Sequence, residues 1–168
     1  MDKLIDAARR GRRPDIEALI EAVWGDAFRI ALSVVRDRTL AEDAAQEACA
    51  ILSRSIHQLR SREAFRVWFF RIVMREALRL ERKTAPLYEI CEDAGGLNGA
   101  EIRADVRDAL FRLPQRQRAA LVLHYYADLT SPQIAAILAI PDSSVRFHIM
   151  RAKRSLYKML GGEFEHAV

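Results

Sequence analysis

Residues 130–160 read TSPQIAAILAIPDSSVRFHIMRAKRSLYKML, and this stretch decides the fold. Thr130 stands three residues before Gln133, the spacing of a capping box. Pro132 suits the first turn of a helix, where its missing N–H is no loss. Ile134, Ala135, Ile137 and Leu138 supply a short apolar helix. Residues 139–142 then form a turn. Ser143 and Ser144 are expected to cap a second helix that runs to Leu160 and stops at Gly161 and Gly162. A short helix, a tight turn and a longer basic helix make a helix-turn-helix. Ala135 and Ala136, with apolar Ile140 and Val145, let two helices cross closely, which a plain helical hairpin does not require. The second helix of such a pair lies in the major groove of DNA. Ser144, Arg146, Phe147 and His148 are expected near base edges, and Arg151 and Arg154, further along, near phosphates.

Working upstream, Val106, Ala109, Leu110 and Leu113 complete a helix that Pro114 ends or restarts, and Leu121, Val122, Leu123 and Tyr125 belong to the next. Before these, residues 84–99 hold Pro86, Gly95, Gly96 and Gly99 with acidic Glu89, Glu92 and Asp93, and show no period. They read as a flexible linker, after which Asn98 and Glu101 form another capping-box spacing.

The first half reads as three amphipathic helices over about residues 14–83. Pro14 and Asp15 open the first, with Ile16, Leu19, Ile20, Val23 and Trp24 at spacings of three and four. Thr39 and Glu42 are placed to box the second, and Ser61 to cap the third, whose inner face holds Phe65, Trp68, Phe69, Ile72, Val73 and Leu80. The fold class is therefore all-α: a three-helix-type bundle and a helix-turn-helix domain joined by a flexible linker. The domain boundaries fall at 1–83, 84–99 and 100–168.

Charge follows this division. The chain carries a net +4. Residues 60–83 hold eight Lys/Arg against three Asp/Glu, residues 84–110 two against six, and residues 142–160 five against one. Two basic blocks flanking an acidic one fit a chain that meets one polyanion at two places. At 51% hydrophobic the sequence is too apolar to be disordered, yet no run approaches the ~20 apolar residues of a membrane helix. No signal-peptide core follows Met1, so a cytoplasmic protein without membrane insertion is expected. Cys49 and Cys91 give neither a disulfide framework nor, with His57, His124, His148 and His166, a metal-ligand spacing. No phosphate-cradling glycine loop and no nucleophile–base pair is visible. The expectation is a non-enzyme that needs no metal or cofactor.

Two polar sites complete the reading. Asp43, Gln46 and Glu47 share one helix face opposite the apolar stripe, a patch suited to a basic partner surface. Arg71, Arg75, Arg79 and Arg82 recur at spacings of four, four and three, a stripe that can track a phosphate backbone, with Arg60 and Arg62 in the loop leading in. Phe70 is less committed to the apolar face than its neighbours and is expected to be available for stacking on an unpaired base.

Taken in order, AEDAAQE at 41–47, FRVWFFRI at 65–72, Leu113-Pro114, Arg118, Leu121, Leu123, Tyr125, Leu129-Thr130, Ile134-Ala135, Ser144-Val145-Arg146 and Arg151-Ala152-Lys153 resemble a bacterial alternative sigma factor of the extracytoplasmic-function (ECF) group. The resemblance spans about Ile16 to Leu160. It implies two helical domains on a flexible linker that bind core RNA polymerase, at the coiled coil of its largest subunit and at its flap, and promoter DNA. An anti-sigma protein covering the same faces is the implied inhibitor. On this resemblance Asp43, Gln46 and Glu47 face the polymerase coiled coil. Arg60, Arg62, Phe70, Arg71, Arg75 and Arg79 serve the minus-10 element, with residues 57–64 as the loop that reads it through His57, Gln58 and Arg60. Ser144, Arg146, Phe147, His148, Arg151 and Arg154 serve the minus-35 element.

The chain departs from the family pattern in several places. Arg75 stands where many members carry Asn, Arg79 where many carry Asp, and Gln133 for a usual Glu. Ser143-Ser144 replace Gly-Thr and Phe147-His148 replace Ser-Arg, so its minus-35 sequence is expected to differ from the group's common one. The alternative reading is a stand-alone helix-turn-helix regulator that binds DNA without polymerase. A third is a helical interaction module whose basic faces are merely solvated.

Overall fold

The computed structural model describes residues 1–84 and 104–160, which fall into two compact helical units. No strand occurs among the described residues. The linker beyond Thr84, the Asn98–Glu101 cap, Cys91 and the tail 161–168 lie outside them.

The first unit contains four helices: α1 (Asp2–Arg9), α2 (Arg13–Val35), α3 (Arg38–Ser55) and α4 (Phe65–Thr84). α1 precedes the three helices expected over residues 14–83 and docks on them. It buries Ile5 and Ala8, three residues apart, against α2. Gly11, at φ +80, turns the chain into α2, a backbone conformation that suits a residue without a Cβ.

Pro14 sits in the first turn of α2, as expected. The second half of α2 is buried on every side from Ile30 to Val35, because α3 and α4 both pack against it. Ser33, the polar member of that run, donates its hydroxyl to the Ile30 carbonyl at 2.7 Å. α3 meets its neighbours through small residues, Ala41, Ala44, Ala45 and Ala48, which let the backbones approach closely; Leu52 and Ile56 continue the stripe.

Two helix starts differ from the sequence reading. Asp37, not Thr39, caps α3, accepting from the Leu40 N–H at 2.8 Å. Arg36 ends α2 in the left-handed region at φ 57, so the next residue is already the cap and α3 begins before Thr39 can serve. Glu42 pairs with Arg38 at 3.0 Å instead of closing a box. Ser61 does cap, but it accepts from Ala64 at 3.4 Å at the head of a 3₁₀ turn, Arg62–Ala64, and the α-helix proper starts at Phe65. A second 3₁₀ turn covers Ile56–Gln58.

The second unit contains α5 (Ala104–Arg112), α6 (Gln115–Tyr125), α7 (Ser131–Leu138) and α8 (Asp142–Met159). α8 touches all three others. Leu113, Leu121 and Ala152 form a core that Leu110, Ile149 and Leu156 extend. Arg118 is buried at this corner. Its Nη1 donates to the Leu113 carbonyl at 2.7 Å and the Phe111 carbonyl at 3.4 Å, satisfying acceptors at the end of α5. His124 Nδ1 meets the Leu129 carbonyl at 3.0 Å, so that nitrogen carries the proton and ties the loop before α7 to α6.

α7 and α8 form the helix-turn-helix. Gln133 Oε1 accepts from the Thr130 N–H at 2.9 Å, the contact a capping box supplies. Ala139 takes the left-handed conformation at φ 53, and the Ile140 N–H returns to the Ala135 carbonyl at 3.2 Å. α8 starts two residues earlier than a Ser143 cap would place it. Pro141 occupies the cap with no side-chain bond, its carbonyl accepting from Ser144 and Val145, so the two serines lie in the first turn. The fixed φ of proline favours this earlier start.

Candidate nucleic-acid and polymerase interface

The acidic patch on α3 is held as the spacing requires. Asp43 and Gln46 are exposed and Glu47 half-buried, above buried Ala44, Ala45, Ala48 and Cys49. Arg54 donates to Glu47 Oε1 at 3.2 Å, which fixes the carboxylate toward the C-terminal end of the patch. Among the described residues no ion pair engages Asp43. Cys49 is packed beneath, and burial pushes its thiol up to about 11.

On α4, Arg71, Arg75, Arg79 and Arg82 are all exposed on one face. Two of them are anchored by a residue the sequence reading passed over. Glu76 is buried, yet its Oε1 accepts from Arg75 Nε at 3.1 Å and its Oε2 from Arg79 Nε at 2.7 Å. Burial pushes this carboxyl up, but the hydrogen bonds and charges of Arg79 and Arg75 outweigh it and leave it below its ordinary value. No ion pair holds Arg71 among the described residues.

Phe70 departs from the expectation of a free stacking face. It is buried, its ring tilted against Phe69 at 6.0 Å, with the Arg66 guanidinium 5.9 Å from its centroid. α4 packs between α2 and α3, so its buried arc is wide enough to take in both Phe69 and Phe70. Trp68, expected in the core, is only half-buried.

The loop entering α4 exposes His57, Gln58 and the Arg60 side chain, while Leu59 is buried beneath. Arg62 is exposed but engaged, reaching Asp6 at 3.2 Å and Glu63 at 3.1 Å.

In the second unit, α8 presents two distinct exposed faces. Ser144, Phe147, His148, Arg151 and Arg154 follow one stripe at spacings of three or four. Phe147 is 52% exposed, and the Arg151 guanidinium lies 5.7 Å from its ring centroid. His148 packs its ring against Phe147 at 6.0 Å, and its Nδ1 is buried without a hydrogen-bond partner among the described residues. Arg146 is not brought together with them. It pairs with Asp142 and lies with Met150 and Lys153 on the other exposed side of α8. There the three line an open groove of about 390 Å³ with His124, Tyr125, Ser131 and Ile149, and Lys153 Nζ stands 5.8 Å from the Tyr125 ring. Among the described residues no three His, Cys, Asp or Glu side chains are grouped to hold a metal ion, and no helix is long and apolar enough to cross a membrane.

Comparison with known proteins places both units. Residues 19–86 match Sigma-70 region 2, and residues 103–156 match Sigma-70, region 4. The ECF RNA polymerase sigma factor SigM of Mycobacterium tuberculosis (strain H37Rv) is 30% identical over 171 residues, covering 90% of this chain and 87% of that protein. The chain belongs to the ECF sigma factors.

This sigma factor is also 26% identical to the RNA polymerase sigma-H factor of Pseudomonas aeruginosa, over 94% of its own length and 92% of the relative's. Its fold is that of CnrH, solved in complex with the cytosolic domain of CnrY, at a TM-score of 0.70 and 20% identity over 96% of this chain and 97% of that one. It is likewise that of the sigma factor RpoE from Bartonella quintana, solved with the anti-sigma factor NepR, at 0.77 and 20% over 89% and 98%. The region 2 match accounts for the first bundle, which a stand-alone helix-turn-helix regulator would leave without a purpose.

Proposed function

We propose that this sigma factor docks on core RNA polymerase through the α3 face of Asp43, Gln46 and Glu47. In this reading it opens the minus-10 element with α4 and the loop at 57–64, and reads the minus-35 element with α8. The observation that carries the reading is the joint presence of a region 2 match over the basic α4 and a region 4 match over the helix-turn-helix. The charge layout supports it, since each cationic surface sits in one of the two units.

Roles divide by chemistry. Arg71, unpaired among the described residues, is free to meet a phosphate of the melted strand, while Arg75 and Arg79 are held out from the helix by Glu76. Trp68, half-buried, replaces Phe70 as the aromatic able to meet an unstacked base. On α8, Phe147 offers apolar contact to a thymine methyl, and Arg151 and Arg154 supply phosphate contacts. The Arg146–Lys153–Tyr125 groove faces a protein surface, where the polymerase flap or an anti-sigma protein would seat. Phosphodiester chemistry is left to the core enzyme, and the chain works in the cytoplasm.

The test is run-off transcription with purified core polymerase and a duplex library randomised at both promoter elements. Addition of the chain is expected to select a defined minus-35/minus-10 pair; transcripts indifferent to the chain would overturn the reading.

A further inference from the structure

The first helix of the chain lies outside the region 2 match, which begins at residue 19, yet it is coupled to the loop assigned above to minus-10 reading. α1 packs against both 3₁₀ turns that bound this loop, Ile56–Gln58 and Arg62–Ala64. Two polar contacts join them, linked in series by an ion pair within α1. Arg62 Nη1 meets Asp6 Oδ2 at 3.2 Å, Asp6 Oδ1 meets Arg9 Nη1 at 3.6 Å, and Arg9 Nη2 donates to the Arg60 carbonyl at 3.0 Å. Ile5 and Ala8, on the neighbouring face of α1, are buried and anchor the helix beneath these contacts.

The consequence is specific to the loop backbone. Leu59 closes the first 3₁₀ turn through its N–H to the Ile56 carbonyl at 3.1 Å, and residues 60 and 61 lie between the two turns, so their path is set from outside. Buried Leu59 holds one end and the Ser61–Ala64 cap the other. Between them the Arg60 carbonyl takes the α1 guanidinium, which turns that peptide and leaves the side chains of His57, Gln58 and Arg60 exposed. Arg62, expected as a DNA contact, is occupied by Asp6 and Glu63 and serves here to hold the loop.

We infer that α1 is a positioning element for promoter selectivity, latching the minus-10-reading loop through Arg9 on the Arg60 carbonyl and Asp6 on Arg62. The inference rests on the sigma-factor reading of residues 57–64. The latch contacts are exposed, and exposed ion pairs contribute modestly. The device therefore tunes the loop without deciding whether the bundle folds.

The test compares the full chain with the variant carrying Asp6→Ala and Arg9→Ala together. Amide hydrogen exchange over residues 57–64 of the free protein is expected to rise by about fivefold, the scale of two exposed charge contacts. Binding to core polymerase is expected to stay within about twofold of wild type, since the α3 face is untouched. Discrimination between a selected minus-10 element and its single-base variants is expected to fall by a similar factor, and Arg9→Lys, which keeps a donor, to retain most of it.

Unchanged exchange would overturn the latch. Faster exchange with unchanged discrimination would overturn the positioning role. If the wild-type chain itself failed to bind core polymerase, the sigma assignment of these residues would fall and the promoter role of α1 with it. The exchange data would still report on the latch separately.

Discussion

Glu76 Oε2 accepts from Arg79 Nε at 2.7 Å from a residue that is 6% exposed, while the arginine stands in solvent. Its other oxygen holds Arg75 at 3.1 Å. A single buried acid thus orients two cations of the stripe on α4. Glu76 between them offsets one of the two positive charges.

Glu76→Gln is expected to destabilise the protein by about 1.5–3 kcal/mol, the scale of hydrogen bonds to a charged group. The carboxyl is held below its ordinary value, so its contribution is present above the usual carboxylate range. That contribution is lost as pH falls through the lowered value. Urea unfolding of wild type and variant should therefore differ at neutral pH and converge in acid. A difference that persists in acid would show that packing rather than charge is lost.

Arg71→Ala should slow promoter opening and flatten its dependence on salt. One lost phosphate contact on a single strand lowers the slope of log K against log salt by about 0.7. Arg75→Ala should do the same. Opening assays over a range of salt measure this directly, and wild-type rates and slopes in both variants would remove the stripe from the DNA path.

On α8 the two kinds of contact should separate. Phe147→Ala is expected to relax selection at one minus-35 position by about 1 kcal/mol, the scale of one buried methyl group. Arg154→Ala is expected to weaken all sequences alike. Competition binding of the polymerase complex to single-base promoter variants distinguishes the two patterns.

Cys49 should be inert in the folded chain. Its thiol is buried and pushed up to about 11, so little thiolate exists at pH 8 and little of the sulfur is accessible. Alkylation followed by peptide mass spectrometry should leave Cys49 unmodified without denaturant and label it fully in urea.

The features legible in the sequence are those set by local spacing. The Thr130–Gln133 pair, Pro114 between two helices and the period of α2 each carry their signal within a few residues. Misreadings arise where tertiary packing decides. Phe70 follows Phe69 and looks peripheral on a one-sided helix, but α4 is covered by two helices and buries both. The offset of Arg146 from Ser144 is already set by helical spacing, and what the fold adds is its ion pair with Asp142. Glu76 was unreadable because an acid among arginines on a helix looks like surface until its depth is known. Asp37 lost to Thr39 in the sequence reading because a left-handed Arg36 gives no composition signal. Nothing short of the fold could connect Arg9 with a carbonyl 51 residues away.

The central claim is that α3 and its acidic face bring the chain to polymerase. The most direct measurement is the affinity of the purified chain for core RNA polymerase without DNA, for wild type and Glu47→Lys, with folding checked by circular dichroism. The account expects a stable wild-type complex and binding weakened by tenfold or more in the variant, a loss of about 1.4 kcal/mol. A folded wild-type chain that does not bind core polymerase, or a variant that binds as tightly, would contradict it.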